Sequence, residues 1–393
     1  MNSFQFYLKT EVVFGAGALA QTAALTKKHG GSKVLVVYGG GSCKRSGVLD
    51  TVTQALQEQG IAYRLFGGAR PNPRLDHARK GVKEALDFGA DLILAIGGGS
   101  SIDTAKAIAV GAAAPDTDIW LFWLRKAVPQ KSLPVGVVLT IPAAGSETSD
   151  SAVLTDEQTM TKRGLSTDLN RPAFAVLDPT LAATLPNYQV SCGVTDILMH
   201  TLDRYFNPVS DNEISDAMAE ALLRVVLKNG TKVCADPADT HAMSEIMWCG
   251  SLSHNGLTGL GGQKDFAVHQ LGHALSARYD VAHGASLSAV WGAWALAVAD
   301  ADGYARFARF GRNVWGIAEP DDKTAALKAI DRQVAYFESL QMPTSLPQLQ
   351  VGSVDVQELA ELCSYGKTRS IGSFKVLDHE KILAVYAAAN QEK

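Results

Sequence analysis

Asp91-Leu-Ile-Leu-Ala-Ile-Gly-Gly-Gly-Ser-Ser-Ile-Asp103 decides the architecture of the first half of this chain. Its apolar run over 91–96 reads as a short buried strand that empties into three glycines and then into a helix over 102–112. The same alternation recurs on both sides. Residues 33–38 (Lys-Val-Leu-Val-Val-Tyr) read as a buried strand, 47–59 as a helix, 61–66 as a strand, 75–88 as a helix and 135–140 as another strand. From Thr10 to about residue 180, strands separated by helices of 10 to 15 residues predict βαβ units and a mainly parallel sheet. In such sheets ligands bind outside the carboxyl ends of the strands.

Three strand ends carry signals for a ligand. Glycines at 97–99 let the backbone approach a bound group, and the exposed amides of the following helix favour a pyrophosphate. A plain turn closed by a capping box from Ser100 to Asp103 is the simpler reading of the same residues. The run is not G-x-G-x-x-G, so the standard Rossmann fingerprint is not inferred. A second end, Tyr38-Gly-Gly-Gly-Ser42, is followed by Lys44 and Arg45. Dinucleotide sites selective for NAD place a carboxylate on the adenosine ribose, whereas a 2′-phosphate wants donors and no negative charge, so this end favours NADP(H). The third, Thr140-Ile-Pro-Ala-Ala-Gly-Ser-Glu-Thr-Ser149, is rich in small and hydroxyl residues that could pass under a nicotinamide, though any such cluster also makes a turn.

The second half is organised differently. Residues 265–283 hold three of the nine histidines, with His269 and His273 four apart and therefore on one helix face, about 6 Å along the axis. His283 follows a glycine-flanked turn and can return to the same place. A second pair, Asp196 and His200, sits at i, i+4 in an otherwise apolar run. Burying a carboxylate and an imidazole unsatisfied costs several kcal/mol, so they must be paired or bound. Asp196, His200, His269 and His283 make a one-oxygen, three-nitrogen set that suits Fe²⁺ or Zn²⁺, with His273 left beside the ion.

Bulk properties bound the rest. A chain of 393 residues that is 47% hydrophobic supports two packed cores. A net charge of −4 gives no reason to expect nucleic acid or an anionic membrane as partner. Five scattered cysteines without a C-x-x-C read as reduced thiols of a cytoplasmic protein, and the start lacks a basic segment followed by an apolar one. The longest apolar stretches stop short of a membrane span.

Taken in order, Gly97-Gly-Gly-Ser-x-x-Asp103, Pro142-Ala-Ala-Gly-Ser-Glu147, Ala175-Val-Leu-Asp-Pro179, the Asp196/His200 pair and His269-x3-His273-x9-His283 resemble the iron-containing (metal-dependent) alcohol dehydrogenase family. Tyr38-Gly-Gly-Gly-Ser and Pro71-Asn-Pro resemble its butanol-dehydrogenase-like branch of NADPH-dependent aldehyde reductases. The resemblance runs nearly end to end. It implies an N-terminal α/β dinucleotide-binding domain (1–185) and an all-helical C-terminal metal-binding domain (186–393), with metal and nicotinamide in the cleft between them.

By position, the resemblance makes Asp196, His200, His269 and His283 metal ligands and puts His273 near nicotinamide and substrate; His273, the cofactor ribose hydroxyls or a water chain could then deliver the proton that the product oxygen needs. It implies cofactor contacts from Gly39, Gly40, Gly41 and Ser42, from Asn72, and from Gly98, Gly99, Ser100 and Asp103, with Thr140, Ser149 and Lys162 on the nicotinamide side. The loop from Pro142 has fewer threonines than the family's common form. The implied activity is reversible hydride transfer from NADPH to a metal-polarised aldehyde, by a homodimer or larger oligomer. Two other classes fit parts of this pattern. A lyase or cyclase on the dehydroquinate-synthase-like version of the fold would need clustered cations near the ligands, and between Asp196 and His283 they are scattered. A metallohydrolase would leave the three strand ends without a purpose.

Overall fold

The computed structural model describes residues 1–209 and 211–391. They fall into two compact units, one formed by Tyr7–Leu185 with Pro237–Ser251 and the other by Met1–Phe6, Pro186–Asp236 and Leu252–Lys393.

The first unit is built on β1 (Glu11–Phe14), β2 (Lys33–Tyr38), β3 (Ala62–Phe66), β4 (Leu92–Gly97), β5 (Val135–Leu139) and β8 (Phe174–Leu177). Every pairing among these is parallel, in the order β1-β8-β5-β4-β2-β3. A hairpin of β6 (Ser151–Asp156) and β7 (Thr161–Ser166) stands apart as an antiparallel pair. Strands β2 and β4 read as nearly unbroken apolar runs because both faces of the sheet are covered. Val34, Val36, Leu92, Leu94 and Ile96 pack with Val48, Leu49, Val52 and Leu56 of the helix Val48–Glu58. The helices Leu75–Phe88 and Gly99–Ala112 contribute Leu75, Ala78, Ala107 and Val110 to a second core with Trp120, Phe122, Trp123 and the hairpin's Ala152 and Leu154.

The order of the strands fixes where a ligand can sit. From β2 the chain runs outward to β3, then returns to lay β4 on the other side of β2. This reversal opens a crevice at the carboxyl ends of β2 and β4, the switch point of an open α/β sheet. Residues 39–42 follow one of those ends and residues 98–103 the other.

The second unit is helical, and no strand lies in it among the described residues. Its helix His283–Val298 carries Trp291 and Trp294, both essentially inaccessible. Phe206, Trp294, Phe307 and Phe310 form an aromatic core, with ring centroids of Phe206 and Phe307 4.1 Å apart. The helix Asn187–Tyr205 is buried on all sides from Val194 to Tyr205, so its polar residues must find partners inside the protein. Beyond its end, the buried Arg306 clamps the Tyr205 carbonyl (2.8 Å from Nε) and the Asp216 carboxylate. No helix among the described residues is long and apolar enough to cross a membrane.

Candidate active site

At the carboxyl end of β4 the chain turns through Gly97, whose φ of 150° leaves no room for a side chain: a Cβ there would come 2.5 Å from Ser101 Oγ. The helix begins at Gly99, three residues earlier than the 102–112 helix read from the sequence. Its first turn has no side-chain cap, so the capping box from Ser100 to Asp103 does not form. Asp103 is used otherwise: its carboxylate accepts from Ser146 Oγ at 2.6 Å and from the Val153 amide at 2.8 Å.

Beside it lies a residue that the sequence did not single out. Lys106 is wholly inaccessible, and its ammonium donates to Ser151 O (2.7 Å), Ser146 Oγ (2.9 Å), Ser149 O (3.1 Å) and Ser149 Oγ (3.3 Å). Burial lowers its pKa to about 8, against the pull of Asp103. Burial likewise raises the pKa of Asp103, opposed by Lys106. Nearby, Glu147 is also buried and accepts from Ser251 Oγ at 2.5 Å. The loop 146–151 is thereby tied to the helix that starts at Gly99.

The other positions named from the sequence lie around the same sheet end. Lys162 on β7 donates to Asn72 Oδ1 at 3.0 Å, which brings together two residues 90 apart in sequence. Ser149 is fully buried behind Lys106, while Thr140 follows β5 directly, its amide donating to Gly97 O at 3.1 Å. Gly39, Gly40 and Gly41 follow β2, and Ser42 opens a single helical turn, Ser42–Arg45. Arg45 folds back over this turn, so that a Cβ on Gly41 would come 2.6 Å from its Nη1. Lys44 Nζ stands 5.3 Å from the centre of the Tyr38 ring. Two cations and no carboxylate occupy this short segment.

In the helical unit, Asp196 and His200 project from the helix Asn187–Tyr205, His269 and His273 from Ala267–Tyr279, and His283 from the first position of His283–Val298. Three imidazole nitrogens converge on one carboxylate oxygen: Nε2 of His200, His269 and His283 lie 3.5, 3.6 and 3.8 Å from Asp196 Oδ1. These separations are too long for hydrogen bonds. They are close to the edge of about 3.4 Å expected between ligands of a tetrahedral ion bound at about 2.0–2.1 Å. Asp196 Oδ1 and His269 Nε2 are both buried with no hydrogen-bond partner among the described residues, which suits atoms that bind an ion. The donor set therefore fits a divalent transition metal.

The four are not equivalent. Donor atoms of Asp196, His200 and His269 all lie within 4.8 Å of one another, whereas His283 is more exposed and stands looser. The His273 ring lies 5.4 Å from His283 and 6.3 Å from His269, beside the cluster.

Around these four side chains are three residues that the sequence reading missed. The Asp203 carboxylate, itself inaccessible, hydrogen-bonds Nδ1 of His269. A carboxylate on the far nitrogen fixes the tautomer that leaves Nε2 free to ligate. Burial alone would depress the pKa of His269, but Asp203 and Asp196 hold it up at about 8. His254 stacks on His200 at 4.0 Å, and Arg204 reaches back along the helix to the His200 carbonyl at 2.5 Å. Burial, followed by the neighbouring His254 and His269, keeps the pKa of His200 well below its ordinary value, in the neutral form that a metal ligand needs. Asp203 had a signal: 196, 200 and 203 are i, i+4 and i+7, one stripe of one helix.

Comparisons with known proteins agree in kind. A family model described as iron-containing alcohol dehydrogenase matches residues 9–179, and that of the C-terminal part of the Fe-containing alcohol dehydrogenase family matches 190–390. The chain is 37% identical to NADH-dependent butanol dehydrogenase A of Clostridium acetobutylicum, over 98% of this chain and 99% of that protein. It is 35% identical to an NADPH-dependent aldehyde reductase of Escherichia coli K12, over 94% and 95%. The crystal structure of NADH-dependent butanol dehydrogenase A from Thermotoga maritima superposes with a TM-score of 0.96 at 33% identity, covering 100% of this chain and 99% of that one.

Proposed function

The chain belongs to the iron-containing alcohol dehydrogenase family, as a metal-dependent alcohol dehydrogenase or aldehyde reductase using a nicotinamide cofactor, and we propose that it works with NADPH as a reductase of small aldehydes. The observation that carries the reading is the meeting of three imidazole nitrogens at the orphaned Asp196 Oδ1. Asp196, His200, His269 and His283 would hold one divalent ion, iron or zinc. Residues 1–185 would carry the cofactor and 186–393 the ion.

The bound ion supplies Lewis acidity toward a carbonyl oxygen, and the nicotinamide supplies hydride. The remaining tasks fall to the chain. Gly98, Gly99 and Ser100 present backbone amides at a helix start, suited to a pyrophosphate, and the glycines at 39–41 with Ser42 bring the backbone close to the adenosine end. Lys44 and Arg45 give that end the positive charge that a 2′-phosphate requires. Asn72, Asp103, Thr140, Ser149 and Lys162 complete the contacts, Asp103 and Ser149 by holding the loop and Lys162 by its ammonium. His273 gives the product oxygen its proton. The relatives are named for both cofactors, and the choice of NADPH rests on residues 39–45. Five free cysteines suit a reducing cytoplasm, and the family resemblance supports a homodimer.

The test is oxidation of NADPH against NADH with butanal, before and after removal of the metal by chelation and return of Fe²⁺ or Zn²⁺. A preference for NADPH, with activity that vanishes and returns with the ion, is the expected result. A preference for NADH would overturn the cofactor assignment, and full activity in verifiably metal-free protein would overturn the role of the site.

A further inference from the structure

The two innermost histidines of the cluster are held in opposite ways. His269 has a carboxylate on Nδ1, that of Asp203. His200 has a guanidinium: Nη1 of Arg204 stands 3.5 Å from its Nδ1 and 2.5 Å from its backbone oxygen. Arg204 is only 2% exposed and is braced by the Phe266 ring, 4.9 Å from its guanidinium carbon. The buried cation is thus fixed beside His200.

We propose that Arg204 is a positioning residue that makes His200 the weakly held ligand of the metal centre. The inference rests on the ligand set put forward above. An imidazole that binds an ion through Nε2 carries its proton on Nδ1, and that proton wants an acceptor. Arginine has five donors and no acceptor, so it cannot play for His200 the part that Asp203 plays for His269. Its charge also opposes the accumulation of positive charge on the ring when a cation binds opposite. His254 stacks at 4.0 Å and steadies the plane of the His200 ring. The centre is therefore lopsided, with Asp196 and His269 as its firm side and His200 as the side that opens when the ion exchanges.

The experiment is a titration of metal-stripped protein with Zn²⁺ in competition with a chromophoric chelator, read as a dissociation constant and not as activity. Arg204→Gln places a carbonyl oxygen within reach of Nδ1 and is expected to bind about 10- to 100-fold more tightly, the range that outer partners of metal-bound histidines command. Arg204→Lys keeps a donor-only cation and should leave the dissociation constant close to that of the parent. A merely structural role would not produce a gain of affinity in one variant and none in the conservative one. His200→Ala and His269→Ala probe the same asymmetry with Arg204 in place. The first is expected to lose clearly less affinity than the second. Equal losses in those two, or an Arg204→Gln protein that folds like the parent and binds no tighter, would overturn the inference and leave the ligand set standing. If the parent takes up no ion at these residues, the ligand set fails and this inference with it.

Discussion

Replacing Lys106 by methionine should be the most informative change in the α/β unit. Methionine keeps the length and packing of the side chain and removes the ammonium, so the carbonyls of Ser149 and Ser151 and the Asp103 carboxylate lose their cation together. Removing one partner of a buried charged group costs roughly 3–5 kcal/mol. The lower end applies here, because the ammonium is itself uncomfortable: burial brings its pKa from 10.5 to about 8. A loss of about 3 kcal/mol at pH 7 is the working figure.

The pH dependence of this difference sharpens the test. Below pH 8 both the native and the unfolded chain hold the proton of Lys106 and the term is flat. Between about pH 8 and 10.5 the unfolded chain holds it and the native protein has released it, so the stability of the parent rises with pH. Its advantage over the methionine variant should grow in that window by about 1.4 kcal/mol per unit. Urea unfolding followed by tryptophan fluorescence from pH 7 to 10 measures it. A difference that stays flat or shrinks above pH 8 would refute the reasoning, as would a variant as stable as the parent at pH 7.

Three further outcomes are expected. His273→Ala should depress kcat with butanal by about 10²–10⁴-fold, the range of general acid–base catalysis, while metal content by elemental analysis stays at the parent level; loss of the ion would make His273 a ligand. Asp203→Ala frees Nδ1 of His269 and should weaken metal binding about 10- to 100-fold in a chelator competition, and an unchanged constant would deny Asp203 its orienting role. Arg45→Ala should raise the KM for NADPH about tenfold or more and leave that for NADH nearly unchanged, since a charge-assisted hydrogen bond contributes about 1.5–3 kcal/mol. Equal effects on both cofactors would place Arg45 away from the 2′-phosphate.

Much of the fold was legible because it rests on local signals. The helix Leu75–Phe88 has an apolar period that ends at Gly89, a left-handed C-cap with φ 68°, and the strands 33–38 and 91–96 are continuous apolar runs that only a covered parallel sheet demands. The hairpin β6–β7 was not read: residues such as Lys162, Arg163 and Gly164 lack strict alternation, and its pairing partner is the only thing that makes it a strand. The ligand candidates stood out because histidine and aspartate are costly in apolar helices. Their surroundings did not. Lys106 looks like any lysine in an alanine-rich helix until the loop 146–151 folds over it, and Arg204 and His254 acquire meaning only when they meet His200. Tertiary proximity over dozens of residues leaves no periodic trace.

The most direct measurement is the metal content and Zn²⁺ affinity of Asp196→Ala against the parent, in protein reconstituted with one ion. Asp196 Oδ1 is the atom on which the three imidazole nitrogens converge. One ion per chain in the parent, and loss of that ion together with butanal reduction in the variant, is the expected result. A variant that keeps a full equivalent of metal at unchanged affinity would contradict the assignment of this cluster as the metal centre.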